Sequence, residues 1–231
     1  MKHVVVLTGA GMSADSGLAT FRDSGGLWEG YDINEVASVD GWRRNREKVL
    51  EFYNLRRKQA FEAEPNEGHL ALARLEEYFD VTIVTQNVDN LHEQAGSNRV
   101  LHLHGELTKA QSEDDPNLIY DIGGDPIRLG DTAEDGAQLR PAIVWFGEMV
   151  PMIEKAAEVV GNSDILIVIG TSLVVYPAAG LVHYATGNIP RYVIDPSIPA
   201  LQQLDRWEHI QATAADGTPE LTEKLIREFA G

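Results

Sequence analysis

The sequence predicts an α/β fold: a parallel sheet with helices on both faces, plus a small inserted module. Three observations carry that expectation. Runs of apolar, mostly β-branched residues at 3–8 (HVVVLT), 165–169 (ILIVI) and 191–194 (RYVI) lack polar alternation, as strands covered on both faces require. Stretches of helical character separate the strands, which favours parallel pairing through crossovers. Four polar signatures, GAG, TQNVD, GTS and DPS, follow the strands that start at 4, 81, 164 and 191. Ligands of such sheets sit beyond the carboxyl ends of the strands, so the four signatures converge on one place.

Composition narrows the functions. A chain of 231 residues is long enough for one compact unit with a smaller appended region. Its formal charge of −17, from 36 acidic and 19 basic residues, argues against a nucleic-acid partner, because phosphate binding needs a cationic footprint. The acidic surface serves solubility, or a basic substrate. With no cysteine there is no disulfide, thiolate metal site or Cys nucleophile. The opening MKHVVVLTGAGMS has an apolar run too short for a signal peptide or a membrane span. A cytoplasmic protein with no membrane partner is the resulting expectation.

Taken in order, the first strand at 3–8 runs into GAGMSADSG. Gly9 and Gly11 allow a tight turn and close approach of a ligand to bare backbone, and Ser13, Ala14 and Ser16 suit a helix start. Such a strand, glycine turn and helix can hold a dinucleotide pyrophosphate, although an ordinary βα turn has the same composition. Residues 21–44 read as a long functional loop with short helical pieces. An amphipathic helix is expected over 45–63, with Val49, Phe52, Tyr53, Ala60 and Phe61 near one side, and Pro65 after it. A second helix at 66–79 leads to the strand VTIVTQN at 81–87 and a short helix ending on Gly96.

The stretch VLHLHGEL at 100–107 places His102 and His104 two apart on a strand-like segment, so their side chains should point the same way. One of them is a candidate base; both could equally be structural. Residues 109–140 are acidic, rich in Gly and Asp, and poor in core-type runs except LIYDI, as expected of a small inserted module. The main domain, residues 1–108 and 141–231, resumes with PAIVWFGE. A helix around 151–161, the strands at 165–169 and 191–197, and a last helix from Pro219 complete it.

GAGMSADSG with FRD, TQNVDNLHEQAG, HLHGEL, VWFGE, IGTS and YPAAG, in this order, resemble the sirtuins, NAD-dependent protein-lysine deacylases. The resemblance covers roughly residues 4–107 and 141–197. It implies a Rossmann-like NAD-binding catalytic domain. It also implies that Gly9, Ala10 and Gly11 form the phosphate-binding turn, with Ser13, Phe21, Arg22 and Trp28 in the cofactor loop. Gln86, Asn87 and Asp89 then line the ribose and nicotinamide pocket, and Gly170, Thr171 and Ser172 make another NAD contact. His104 becomes the catalytic base, assisted by Asn87, and His102 a structural partner. Val144 to Glu148, with Phe146 and Gly147, pair with the substrate peptide, and Val175 stands beside them.

The chemistry implied is removal of an acyl group from lysine, releasing nicotinamide and O-acyl-ADP-ribose, with a neutral His as base near its ordinary pKa. Asn87 and Asp89 suit the orientation of a carboxamide or ribose, and Asp89 also suits a capping turn before Glu93. Tyr53 and Arg56 share a helix face, and a guanidinium beside a phenol makes a carboxylate receptor. The pair resembles the mark of the class III, desuccinylase-like bacterial sirtuins, in which Ala37 matches the small residue that widens the acyl pocket. On the residues alone, Tyr53 in a core and Arg56 in solvent is the competing reading.

Three departures from the family stand out. Its structural zinc hangs on two CxxC pairs, and residues 109–140 hold neither Cys nor His, so no zinc is expected. Packing of LIYDI and turns should hold the module instead. Glu113, Asp114 and Asp115 could attract a hard cation or form a solvated run. Asp195 stands where the family commonly has Asn on the adenosine ribose, and Ser197 and Ala214 are further cofactor contacts by position. Ala19 replaces a frequent Pro. The expected activity is an NAD-dependent deacylase acting on succinyl-, malonyl- and acetyl-lysine in proteins. Alternatives are an ADP-ribosyltransferase of the same family, a dehydrogenase using the same sheet, or a non-catalytic NAD or ADP-ribose binding module.

Overall fold

The computed structural model describes residues 1–19, 27–28, 30–197 and 206–230. In chain order the strands are β1 (His3–Thr8), β2 (Leu27–Trp28), β3 (Tyr31–Asp32), β4 (Asp80–Thr85), β5 (Val100–His102), β6 (Gly105–Ser112), β7 (Ile119–Asp121), β8 (Leu139–Ile143), β9 (Ile165–Ile169), β10 (Arg191–Ile194) and β11 (Glu208–Ile210). The helices are α1 (Ile33–Val36), α2 (Val39–Arg44), α3 (Arg46–Glu62), α4 (Glu67–Leu75), α5 (Leu91–Gln94), α6 (Ile153–Gly161) and α7 (Ala214–Phe229). No helix among the described residues is long and apolar enough to cross a membrane.

Six strands form one parallel sheet in the order β11-β10-β9-β1-β4-β5. The chain builds outward from β1 to β4 and β5 on one side, then returns to lay β9, β10 and β11 on the other. The order therefore reverses between β1 and β9, which is where an open α/β sheet leaves a crevice. The continuous apolar run of β1 has a simple cause. Val4 and Val6 pack with Leu72, Leu75, Leu221 and Leu225 on one face, while Val5 and Leu7 pack with Ala156, Val160 and Leu181 on the other.

Several elements differ from their sequence expectation. The GAGMSADSG segment forms two 3-10 turns, Ala10–Met12 and Ala14–Ser16, rather than the start of an α-helix. β11 is short and polar, with one apolar residue in EHI, and only its pairing with β10 marks it as a strand. α4 stops at Leu75 rather than Phe79. Its start is fixed by Asn66, whose side chain accepts from the Gly68 and His69 amides while His69 Nδ1 accepts from the Asn66 amide. α7 begins five residues before Pro219, because Thr213 caps it by accepting from the Asp216 amide. On α3, Phe61 is 62% exposed, whereas Arg56 and Arg57 are buried with Val49, Phe52 and Tyr53.

Those two arginines disguise the inner face of α3. Arg57 is 1% exposed and donates to the Leu107 carbonyl at 2.5 Å and to Asn54 Oδ1 at 2.7 Å. Asn54 in turn donates to the Ile127 carbonyl and accepts from the Ile127 amide, at 2.8 and 2.9 Å. Both residues tie α3 to a three-stranded antiparallel sheet, β7-β6-β8, which runs from Gly105 to Ile143 and so is wider than residues 109–140. Leu107, Ala110 and Ile127 pack there with Trp42, Phe52 and Tyr53. LIYDI contributes less than expected: Ile122 packs on this core, but Ile119 is 53% exposed. Glu113 accepts from the Trp42 indole at 3.0 Å and pairs with Arg46 at 2.7 Å, so its carboxylate serves this same docking.

Burial holds the Arg57 guanidinium below its ordinary pKa, at about 10. Truncation strands the Leu107 carbonyl and opens a void. Arg57→Ala should therefore cost about 2–4 kcal/mol of unfolding free energy, read as a lower urea midpoint. Lys58→Ala, on the exposed side of the same helix, should stay within about 0.5 kcal/mol.

Candidate active site

A cavity of about 740 Å³ opens beyond the carboxyl ends of β1, β4, β9 and β10. Its floor is a meeting of two glycines. The Gly11 amide donates to the Gly170 carbonyl at 2.8 Å, and the Gly9 amide to the Ile169 carbonyl at 3.0 Å. A Cβ on Gly11 would stand 2.7 Å from Gly170 Cα, and one on Gly170, whose φ is +61°, would stand 2.4 Å from the Met12 amide nitrogen. Only bare backbone fits on both sides of this crossing. The glycines are thus required by protein packing before any ligand is considered, while Gly9, Ala10 and Gly11 still line the cavity together with Gly170, Thr171 and Ser172.

A bank of buried polar groups faces this floor. Asn87 Nδ2 donates to Ser13 Oγ at 3.1 Å, and Ser13 Oγ donates to Asp89 Oδ2 at 3.1 Å. Asp89 Oδ1 accepts from the Leu91 amide at 3.2 Å, so the same carboxylate satisfies the first amide of α5 and ends the chain of bonds from Asn87. Burial raises the Asp89 pKa, with the Leu91 and Ser13 hydrogen bonds opposing it. Gln86 Nε2 donates to Thr171 Oγ1 at 3.1 Å and bridges the ends of β4 and β9. Asp195, 1% exposed at the end of β10, also lines the cavity, as does Ala214 at the start of α7. Ser197 is not among the lining residues; its amide donates to Asp195 Oδ1 at 2.9 Å.

The two histidines do not behave as a strand pair. β5 ends at His102, and His104 lies in the bend before β6, where Gly105 has φ +81° and a Cβ would meet the Ala142 carbonyl oxygen at 2.0 Å. That forced approach turns the chain. His104 lines the cavity and His102 does not. His104 Nδ1 is 3.1 Å from the Gln86 carbonyl, which can only accept, so Nδ1 carries the proton and Nε2 keeps its lone pair. Burial lowers its pKa, and the bond to Gln86 opposes this only partly. His102 is bracketed by two acceptors, the Asn87 carbonyl at 3.1 Å and Glu93 at 2.8 Å. Burial lowers its pKa too, but the Glu93 hydrogen bond and charge, with the Glu106 charge and the Asn87 carbonyl, together outweigh burial and raise it overall.

The far wall comes from α3 and residues 143–150. Ala37, Tyr53, Arg56, Val144, Phe146, Gly147 and Val175 all line the cavity. The Val144 amide donates to the His104 carbonyl at 2.9 Å, and the Phe146 amide to the Ala37 carbonyl at 2.9 Å, which fixes this segment beside both His104 and Ala37. Tyr53 is buried rather than free: its hydroxyl accepts from the Trp145 indole at 3.0 Å. Trp145 and Glu148, within the expected peptide segment, line the cavity too, and so do Val174, Tyr176 and Pro177, which the sequence did not single out as site residues. Trp145 stands within the quoted VWFGE, but its partner lies 92 residues away and left no local signal. Phe21 and Arg22 lie outside the described residues, and Trp28 is described through its backbone pairing with Tyr31.

Residues 9–177 match the Sir2 family, and the chain belongs to it. An NAD-dependent protein deacylase of Helicobacter pylori (strain J99) is 54% identical over 98% of this chain and 96% of its own. Another from Bacteroides thetaiotaomicron is 52% identical over 98% of this chain and 99% of its own. A solved Sir2 homologue–NAD complex superposes with a TM-score of 0.87 at 36% identity, over 98% of this chain and 90% of that one.

The opposite environments of the two histidines are measurable without substrate. NMR titration of the ring carbons should give His104 a midpoint below 6.5 and His102 one above it. The reverse order would mean that His104 Nε2 is not held as a lone-pair acceptor at neutral pH.

Proposed function

We propose that this protein is an NAD-dependent protein-lysine deacylase that removes acidic acyl groups, succinyl and malonyl, as well as acetyl. The observation that carries the acyl preference is Arg56, buried on the same cavity wall as Tyr53 and opening into the space that His104 also lines. A buried cation on the cavity wall favours an acyl group that carries a carboxylate. Membership in the Sir2 family and the names of its close relatives support the deacylase reading.

The residues present suit NAD. The cavity has the volume of a small-molecule site and spans the point where strand order reverses. The turn at Gly9–Gly11 lines the cavity with no side chain larger than the Ala10 methyl, which suits close approach of phosphates to backbone, and Asp195 can accept from ribose hydroxyls. When bound, NAD supplies the high-energy bond between nicotinamide and ribose. Asn87, held by Ser13 and Asp89, orients a carboxamide or ribose beside it. His104, neutral and with Nε2 bare, takes a proton from a hydroxyl presented to it. Val144 to Glu148 offer backbone to an extended substrate peptide.

A base with an unoccupied lone pair facing the cavity favours catalysis over a binding module. Matched acetyl, succinyl and malonyl peptides, incubated with and without NAD and followed by mass spectrometry, separate the readings. Loss of succinyl and malonyl that requires NAD is the expected result. Nicotinamide release with the acyl group retained would instead indicate an ADP-ribosyltransferase, and bound NAD without turnover a binding module. Arg56→Met should lower the succinyl-to-acetyl ratio of kcat/KM by roughly ten- to a hundredfold, the loss of one charge-assisted contact. Equal damage to both substrates would sink the carboxylate receptor. Metal analysis of the purified protein should show no stoichiometric zinc.

A further inference from the structure

Within the proposed acyl pocket, Tyr53 has a phenol oxygen whose orientation is dictated from behind. The Trp145 indole N–H donates to it at 3.0 Å. Trp145 is itself 2% exposed and held on several sides. The Arg140 guanidinium lies over its ring at 3.4 Å, and the rings of Trp42 and Tyr53 stand 5.5 and 6.3 Å away. Arg140 is fixed in turn by a forked pair of bonds to Glu148, at 2.7 and 3.1 Å, and by the Ile143 carbonyl at 2.8 Å. Glu148 closes the loop by accepting from the Trp145 amide at 2.7 Å. The indole therefore has one orientation, and its N–H has one target.

A phenol has one proton to give. When its oxygen accepts the indole N–H, that proton is directed elsewhere, and the buried Tyr53 also lines the cavity, where a ligand acceptor can meet it. Burial raises the Tyr53 pKa, so the phenol stays protonated and remains a donor throughout the neutral range. A carboxylate brought to Arg56 then meets a phenol already arranged to donate to it. A phenol without the indole could rotate its proton toward other acceptors, and a ligand carboxylate would have to recruit it.

We infer that Trp145, clamped by Arg140 and Glu148, is a positioning residue for acyl selectivity: its indole N–H sets Tyr53 to donate to the carboxylate of an acidic acyl-lysine. This rests on the acyl preference proposed above and adds a residue to it. The indole touches the phenol and acts through it. A purely structural role for Trp145 would damage every substrate alike.

The test is the succinyl-to-acetyl ratio of kcat/KM in Trp145→Phe, Tyr53→Phe and the double variant, with Arg56→Met alongside. Trp145→Phe keeps a ring under Arg140 and removes the N–H; the ratio should fall roughly tenfold. In the Tyr53→Phe background the same change should leave the ratio unmoved, because the acceptor is gone. A ratio unchanged in Trp145→Phe, or a full additional fall in the double variant, overturns the inference. If Arg56→Met lowers the ratio while Trp145→Phe does not, the acyl preference survives and the role of Trp145 falls. A wild-type protein that removes acetyl and not succinyl overturns both. Should Trp145→Phe fail to fold, the ¹⁵N-indole resonance of Trp145 in the wild-type protein decides. It should shift when succinyl-lysine peptide is added without NAD and stay in place with the acetyl peptide; an equal response to both overturns the inference.

Discussion

The crossing of Gly11 over Gly170 is the constraint on which the site depends. It joins the turn after β1 to the end of β9 at the one place where strand order reverses, through amide-to-carbonyl bonds from Gly9 and Gly11. A side chain on either glycine would collide with backbone, which does not yield as a flexible side-chain tip would. With the two strand ends locked at this distance, Gln86 reaches Thr171 and Asn87 reaches Ser13, so side chains from separate strands form one polar bank. The cavity is concave because its floor can rise no higher than bare backbone.

Much of this was legible in the sequence because the relevant information is local. Continuous apolar runs marked the parallel strands, and residues of the polar signatures after them line one cavity. Elements fixed by distant partners were not legible. β11 has one apolar residue and exists through pairing with β10. α7 starts early because of a Thr cap, although Pro219 is the louder signal. The strand period misplaced His104, since the chain turns at Gly105 under a contact with Ala142 from β8. Arg56 and Arg57 made α3 look polar on the face it buries.

Burial also sorts the titratable groups by task. His69 and His92 sit edge to face at 4.8 Å, and burial pushes both down, His69 to about 4. His92 contacts Thr8, which donates to Thr85, whose hydroxyl accepts from the Asn87 amide. His69 stands beside Asn66, which donates to the Met12 carbonyl and Ser16 behind the glycine turn. The neutral pair thus underpins both halves of the polar bank. Because their folded pKa values lie below the unfolded one, the unfolded chain binds more protons between about pH 4 and 6.5, and stability declines as pH falls through that window. His104 shares the depression, which suits the base role proposed for it, since a base must be neutral to accept. His102 is the exception, raised by Glu93, and its ring bridges that carboxylate to the Asn87 carbonyl.

α3 connects this chemistry to the inserted sheet. Tyr53 and Arg56 are three apart and face the cavity; Asn54 and Arg57, one position further around the helix, face Ile127 and Leu107. Two adjacent rows on one helix therefore serve two surfaces, and the residue types follow from what each meets. The sheet-facing row needs donors and acceptors for backbone carbonyls and amides at strand and loop edges, which an amide and a guanidinium supply. The cavity-facing row presents a cation and a phenol, which on the proposed function receive the carboxylate of the acyl group. In a module without a cysteine, this helix, with the Trp42–Glu113–Arg46 contact beside it, holds the sheet by hydrogen bonds and an ion pair rather than by thiolates. The position of Arg56 relative to His104 is then fixed by the same helix that docks the module, so loosening the dock would displace the wall that carries Tyr53 and Arg56 before it displaced the Gly11–Gly170 floor.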